Sequence, residues 1–134
     1  MKNIIFEIVF LLLIVSGCNK DDNQTTEKPI GSIELISGNN QLGDRGLQLS
    51  NQIVIKINNE FGAPYLNFPI DLIHLEVAEG AVFFGSASVD NEGKVYINWT
   101  LGNSLAKQTL TVSVTLNSVE LENSPITVTA IPQA

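Results

Sequence analysis

The sequence predicts an all-β fold, an antiparallel sandwich of about seven strands spread over roughly 100 residues. Three observations carry that expectation. Residues 94–101 alternate strictly: Val95, Ile97, Trp99 and Leu101 fall on one face, and Lys94, Tyr96, Asn98 and Thr100 on the other. A period of two with one apolar and one polar face belongs to a sheet packed on one side. From Gly31 onward, short apolar runs are separated by Gly, Pro, Asn and Ser, the residues that favour turns. No stretch after Gly31 carries a helical period of useful length.

The elements follow in order. Residues 32–36 form a first strand, and residues 37–46, rich in Gly and Asn, read as a loop. Ile53, Ile55 and Ile57 alternate with Val54 and Lys56 in a second strand, closed by the turn residues Gly62 and Pro64. Residues 69–77 form a third strand whose apolar set changes phase near Ile73. A β-bulge there, or burial on both faces, accounts for the change equally well. Residues 80–88 hold a short strand with Val82, Phe83 and Phe84, and Asp90 to Gly93 is a tight turn into the tryptophan strand. Residues 108–116 point Leu110, Val112, Val114 and Leu116 inward, and residues 119–131 supply the last strand, led in by Pro125. The expected core is Trp99 with Val95, Ile97, Leu101, Leu110, Val112, Val114 and Ile55. The count and spacing fit a two-sheet sandwich of immunoglobulin type better than a barrel. The Cys-Trp-Cys core of antibody domains is missing, so Trp99 packs against aliphatic side chains.

Composition narrows the function classes. The 134 residues are 44% hydrophobic and 16% charged, which suits one folded domain with a core of its own. The net charge of -7 and the lack of a basic patch exclude nucleic acid as an expected partner. The single cysteine, Cys18, cannot close an internal disulfide.

The N-terminus specifies a location. Residues 1–17 have a positive Lys2 followed by an apolar run over residues 8–15. That run is shorter than the roughly 20 residues a bilayer crossing needs and has the length of a signal-peptide core. Val15-Ser16-Gly17-Cys18 resembles the bacterial lipobox. The resemblance implies cleavage before Cys18 and acylation there, with a membrane anchor as the result, since each buried CH2 contributes about 0.8 kcal/mol. Lys20-Asp21-Asp22 resembles the surface-export signal of Bacteroidetes lipoproteins, which implies display on the outer face of the outer membrane. Residues 18–30 are mostly polar and charged and read as a disordered tether reaching about 20 Å. Residues 31–134 are then the sandwich domain.

The domain itself resembles the group 1 bacterial Ig-like domain of the invasin and intimin adhesins. Gly62-Ala63-Pro64 after Asn58-Asn59 is similar to that family's turn after its second strand. Asp90-Asn91-Glu92-Gly93 is similar to its Thr-Asp-x-x-Gly turn, with Val89 in the Thr position. Trp99-Thr100-Leu101-Gly102 and Gln108-Thr109-Leu110-Thr111-Val112 match its next strand end and strand. The resemblance covers about residues 40–116 and implies a structural or adhesive role without enzymatic activity or cofactor.

Catalytic patterns are sparse. His74 is the only histidine and lies mid-strand with no cysteine or acid cluster beside it. Ser86 and Ser88 lack the nucleophile-elbow spacing. Asp71, Glu76 and Glu79 read as surface carboxylates, and Asp90 with Glu92 as turn residues with too few oxygen ligands for calcium. The expectation is a non-enzymatic module in adhesion, or an accessory lipoprotein that binds carbohydrate or protein during nutrient capture. An exposed patch joining Phe83 or Phe84 to Tyr96 favours the second of these.

Overall fold

The computed structural model describes residues 29–134. They form nine strands: β1 Gly31–Ser37, β2 Gln41–Asp44, β3 Ile53–Asn59, β4 Ile73–Val77, β5 Ala81–Phe84, β6 Lys94–Thr100, β7 Gln108–Leu116, β8 Val119–Glu120 and β9 Ile126–Gln133. One sheet runs β1-β3-β6-β5, and the other β2-β9-β7-β4, with β8 paired to the end of β7. In immunoglobulin terms β1, β3, β6 and β5 occupy the places of strands A, B, E and D, and β4, β7 and β9 those of C, F and G. The fold is therefore an immunoglobulin-like β-sandwich. Seven strands make that frame, and β2 and β8 are additions to it.

Alternation builds the core. In β3, Ile53, Ile55 and Ile57 are at most 1% exposed, and in β6 Val95, Ile97 and Trp99 are equally buried. Register places Ile53 opposite Ile97 and Ile55 opposite Val95, so each pair points the same way. Leu110, Val112 and Val114 of β7 and Val128 and Ala130 of β9 close on them from the facing sheet, all at 0% exposure. Leu101, one residue beyond β6, is buried too. Burial of this contiguous set is the main stabilising term, at roughly 25 cal/mol per Å² of apolar surface.

Several expected boundaries change. Residues 37–46 are not all loop: β2 lies within them and pairs parallel with β9, Leu42 opposite Ile131. The sheets are accordingly mixed, with one parallel pair among antiparallel ones. Leu42 is 58% exposed, so β2 exists through backbone pairing at a sheet edge and leaves no apolar alternation. The phase change near Ile73 is neither a bulge nor two-faced burial. A 3-10 turn, Ile70–Leu72, precedes β4, and β4 then alternates cleanly, with Ile73, Leu75 and Val77 opposite Val114, Val112 and Leu110. Residues 119–131 do not form one strand: Val119 is 53% exposed on the short β8, and Leu121 is buried before β9 begins at Ile126. Ile30, at the end of the expected tether, packs half-buried against the core. Residues 1–28, with the signal segment and most of the tether, lie outside the described residues.

Candidate functional site

The outward side chains of the β1-β3-β6-β5 sheet carry two connected sets of hydrogen bonds. The first begins at the turn leading into β6. Asp90 Oδ1 accepts hydrogen bonds from the backbone N–H groups of Glu92 and Lys94, both at 2.8 Å. The Asp90 carbonyl accepts from Gly93 N at 3.0 Å. Tyr96 donates its hydroxyl to Asp90 Oδ2 at 3.0 Å. Desolvation alone would raise the Asp90 pKa, but the backbone donors of Lys94 and Glu92, the Tyr96 hydroxyl and the Lys94 charge together hold it below the ordinary carboxylate value. The same bond to Asp90 is the main reason the Tyr96 hydroxyl is pushed up. Lys94 is also raised, first by its hydrogen bond to Glu92, a 3.0 Å surface ion pair of small net value.

Gly93 adopts φ +77° and is buried, and a Cβ there would meet Ile57 O at 2.6 Å. Glycine is required at this point for both conformation and space. The turn residues Asp90 and Gly93 thus aim Tyr96 along the outer face.

Farther along β6, Asn98 lies opposite Phe83 of β5. Tyr96 and Phe83 are therefore diagonal neighbours on one face, about 7–8 Å apart by strand geometry. Phe83 is 50% exposed, and its neighbour Phe84 turns inward, half-buried. Asn98 Oδ1 accepts from Gln52 Nε2 at 3.2 Å and from Gln48 Nε2 at 3.4 Å. Gln48 reaches this place because residues 47–49 continue the β3 side of the sheet: Leu49 N donates to Trp99 O at 2.8 Å and Leu101 N to Leu47 O at 3.0 Å. Gly85 leaves room for the amides, since a Cβ there would collide with Gln52 Nε2 and sit 3.3 Å from Asn98 Nδ2. The result is a neutral cluster of three carboxamides beside an exposed aromatic ring.

The other expected residues have plain surroundings. Trp99 is 1% exposed, and its indole N–H has no acceptor among the described residues. His74 is exposed on β4 beside Ser113. Ser86 Oγ donates to Ser88 O at 3.1 Å in an exposed loop. Glu79 Oε1 accepts from Ser104 N at 3.1 Å. Gln108, which sequence reasoning treated only as a strand residue, is a buried clamp: its Oε1 accepts from Gly102 N at 2.8 Å and its Nε2 donates to Ser104 O at 3.0 Å. Among the described residues, no group of three or more His, Cys, Asp or Glu side chains is placed to hold a metal. No helix among them is long and apolar enough to cross a membrane. Two open hollows flank the point where the chain enters the domain. One, of about 170 Å³, is lined by Pro29, Gly31, Asn59 and Glu122, and the other, of about 370 Å³, by Ile30, Phe61, Tyr65 and Leu66. Cys18, Lys20, Asp21 and Asp22 lie outside the described residues. Comparison of the sequence with models of known protein families and with curated proteins finds no match.

Proposed function

We propose that the chain is a lipoprotein anchored through Cys18 and displayed on the cell surface, with one immunoglobulin-like domain of the invasin and intimin type acting as a non-enzymatic adhesion or structural module. The lipobox at residues 15–18, the Lys20-Asp21-Asp22 signal and the Asp90–Gly93 turn support this reading from the sequence. The Val15–Cys18 lipobox is the observation that carries it; in the structure, Pro29 and Gly31 line one hollow with Asn59, Glu60, Gly62 and Glu122. The tether enters at one end of the sandwich, among its loops.

The face that joins Phe83 to Tyr96 favours a second, compatible reading, an accessory lipoprotein that binds carbohydrate or protein in nutrient capture. Both readings share the anchor, and both are tested first by Cys18→Ser. The variant should leave the membrane fraction; retention there would remove the lipoprotein reading. Replacing Lys20, Asp21 and Asp22 with Ala should protect the protein from protease added to intact cells. Unchanged shaving would remove the export signal while leaving the anchor in place.

A further inference from the structure

We propose that the outer face of the β1-β3-β6-β5 sheet is a glycan-binding site for neutral sugars, built from Phe83 and Tyr96 as stacking rings and from Gln48, Gln52 and Asn98 as the hydroxyl-recognising groups. The inference rests on the reading of the domain as a binding module and names its ligand class and its site.

Three features specify the ligand. The first is ring exposure: Phe83 is half exposed on a flat strand-built surface, where a sugar ring can lay its C–H face against it. The second is the amide cluster. A carboxamide offers two donors and an acceptor on one rigid plane, which suits vicinal hydroxyls that both donate and accept. Asn98 Oδ1 is occupied by the two glutamine donors, and these mutual bonds hold the three amides in place. The Asn98 amide nitrogen and the two glutamine side-chain oxygens have no hydrogen-bond partner among the described residues. The third is charge. The cluster carries none, in a chain of net charge -7. Asp90, the nearest carboxylate along β6, has its oxygens taken by Glu92 N, Lys94 N and the Tyr96 hydroxyl. The cations on this face, Lys94 and Lys56, lie opposite one another at the far side of Tyr96 from the amides, and Lys94 is paired with Glu92; nucleic acid is repelled by the chain as a whole. A site of neutral amides and aromatic faces is matched by a neutral carbohydrate.

The test is native affinity electrophoresis of the purified full chain in detergent. The gels contain a soluble glucan, mannan, galactan or xylan, or the acidic polygalacturonate as a counter-probe. Retardation by at least one neutral polysaccharide is expected, with binding weakened about ten-fold, equivalent to about 1.4 kcal/mol, in Phe83→Ala and in Asn98→Ala. Phe83→Tyr, which keeps the ring, should bind normally, and so should His74→Ala on the opposite sheet. Melting curves of each variant separate lost binding from lost folding, and Asn98→Gln supplies a gentler substitution if Asn98→Ala unfolds. The proposal is overturned if no neutral polysaccharide retards the protein. It is equally overturned if only polygalacturonate does so, or if retardation survives in the Phe83→Ala, Asn98→Ala double variant. Attachment of expressing cells to protein-coated surfaces, measured in parallel, tells the two levels apart. Attachment without polysaccharide retardation sinks the glycan site and leaves the adhesion module standing, whereas absence of both removes the module reading with it.

Discussion

Among the described residues Trp99 is the largest fully buried side chain, yet its indole N–H finds no acceptor there. These two facts pull in opposite directions and can be separated by two substitutions. A buried tryptophan takes about 150–250 Å² out of water, which at roughly 25 cal/mol per Å² comes to about 4–6 kcal/mol. That figure is an upper bound, because the unfolded chain is itself compact. Trp99→Ala should therefore cost about 3–5 kcal/mol. Trp99→Phe keeps most of the ring and deletes the orphaned donor. Relief of a buried unsatisfied group is worth about 1–3 kcal/mol, and the smaller ring forfeits on the order of the same amount in contact and cavity. The phenylalanine variant should lie within about 1.5 kcal/mol of wild type. Urea unfolding followed by far-ultraviolet circular dichroism measures both, since the fluorescent reporter is the residue replaced, and the slopes must agree for the comparison to hold. If Phe costs as much as Ala, the N–H is no burden and the reasoning fails. An Ala variant within about 1 kcal/mol of wild type would show that the ring does not organise the core.

Asp90→Ala should destabilise the domain by about 1–3 kcal/mol at neutral pH, because two backbone donors and the Tyr96 hydroxyl lose their acceptor. Since the folded pKa of Asp90 lies below its ordinary 3.8, this contribution is fully present above that value and fades as pH falls through the folded pKa. The gap between wild-type and variant melting temperatures should then close below pH 3.8; a gap that opens on acidification would contradict the assignment. Gly93→Ala combines a left-handed backbone with a collision at Ile57 O and should cost more than about 2 kcal/mol, read from urea midpoints. Gln108→Ala strands the buried Gly102 N–H and should cost about 1–3 kcal/mol, accompanied by faster hydrogen exchange at Gly102. Exchange at Gly102 no faster than in wild type would show that the clamp is dispensable.

Much of this architecture is legible in sequence because burial leaves a periodic trace. β3, β6 and β7 each bury every second residue on one side, and a period of two is the strongest signal a strand has. β2 has no such trace, because it is made by backbone bonds to β9 at an exposed edge. The 3-10 turn before β4 disguises a regular strand as an irregular one, since three residues advance the chain without advancing the pleat. The Asp90–Gly93 turn is local and so is readable from four letters. The amide cluster is not. Gln48 and Gln52 stand 50 and 46 residues away from Asn98 in the chain and meet it only once the β3–β6 register and the bridge of Gln48 to Thr100 are formed. Nothing in a glutamine's immediate neighbours announces that contact.

The first segment of the domain joins both layers in quick succession: β1 pairs with β3 in one sheet, and β2 then pairs with β9 in the other. If the domain is anchored through its N-terminus as proposed and holds a ligand on its face, it is a mechanical element, and a pulling load would enter along β1. Six residue pairs from Gly31↔Asn59 to Ser37↔Val54 lie along that direction, so they are sheared together and cannot open one at a time like a zipper. Should β1 slip, the load passes to β2, whose parallel pairing with β9 is sheared in turn. The added edge strand gives the domain a second catch in series with the first.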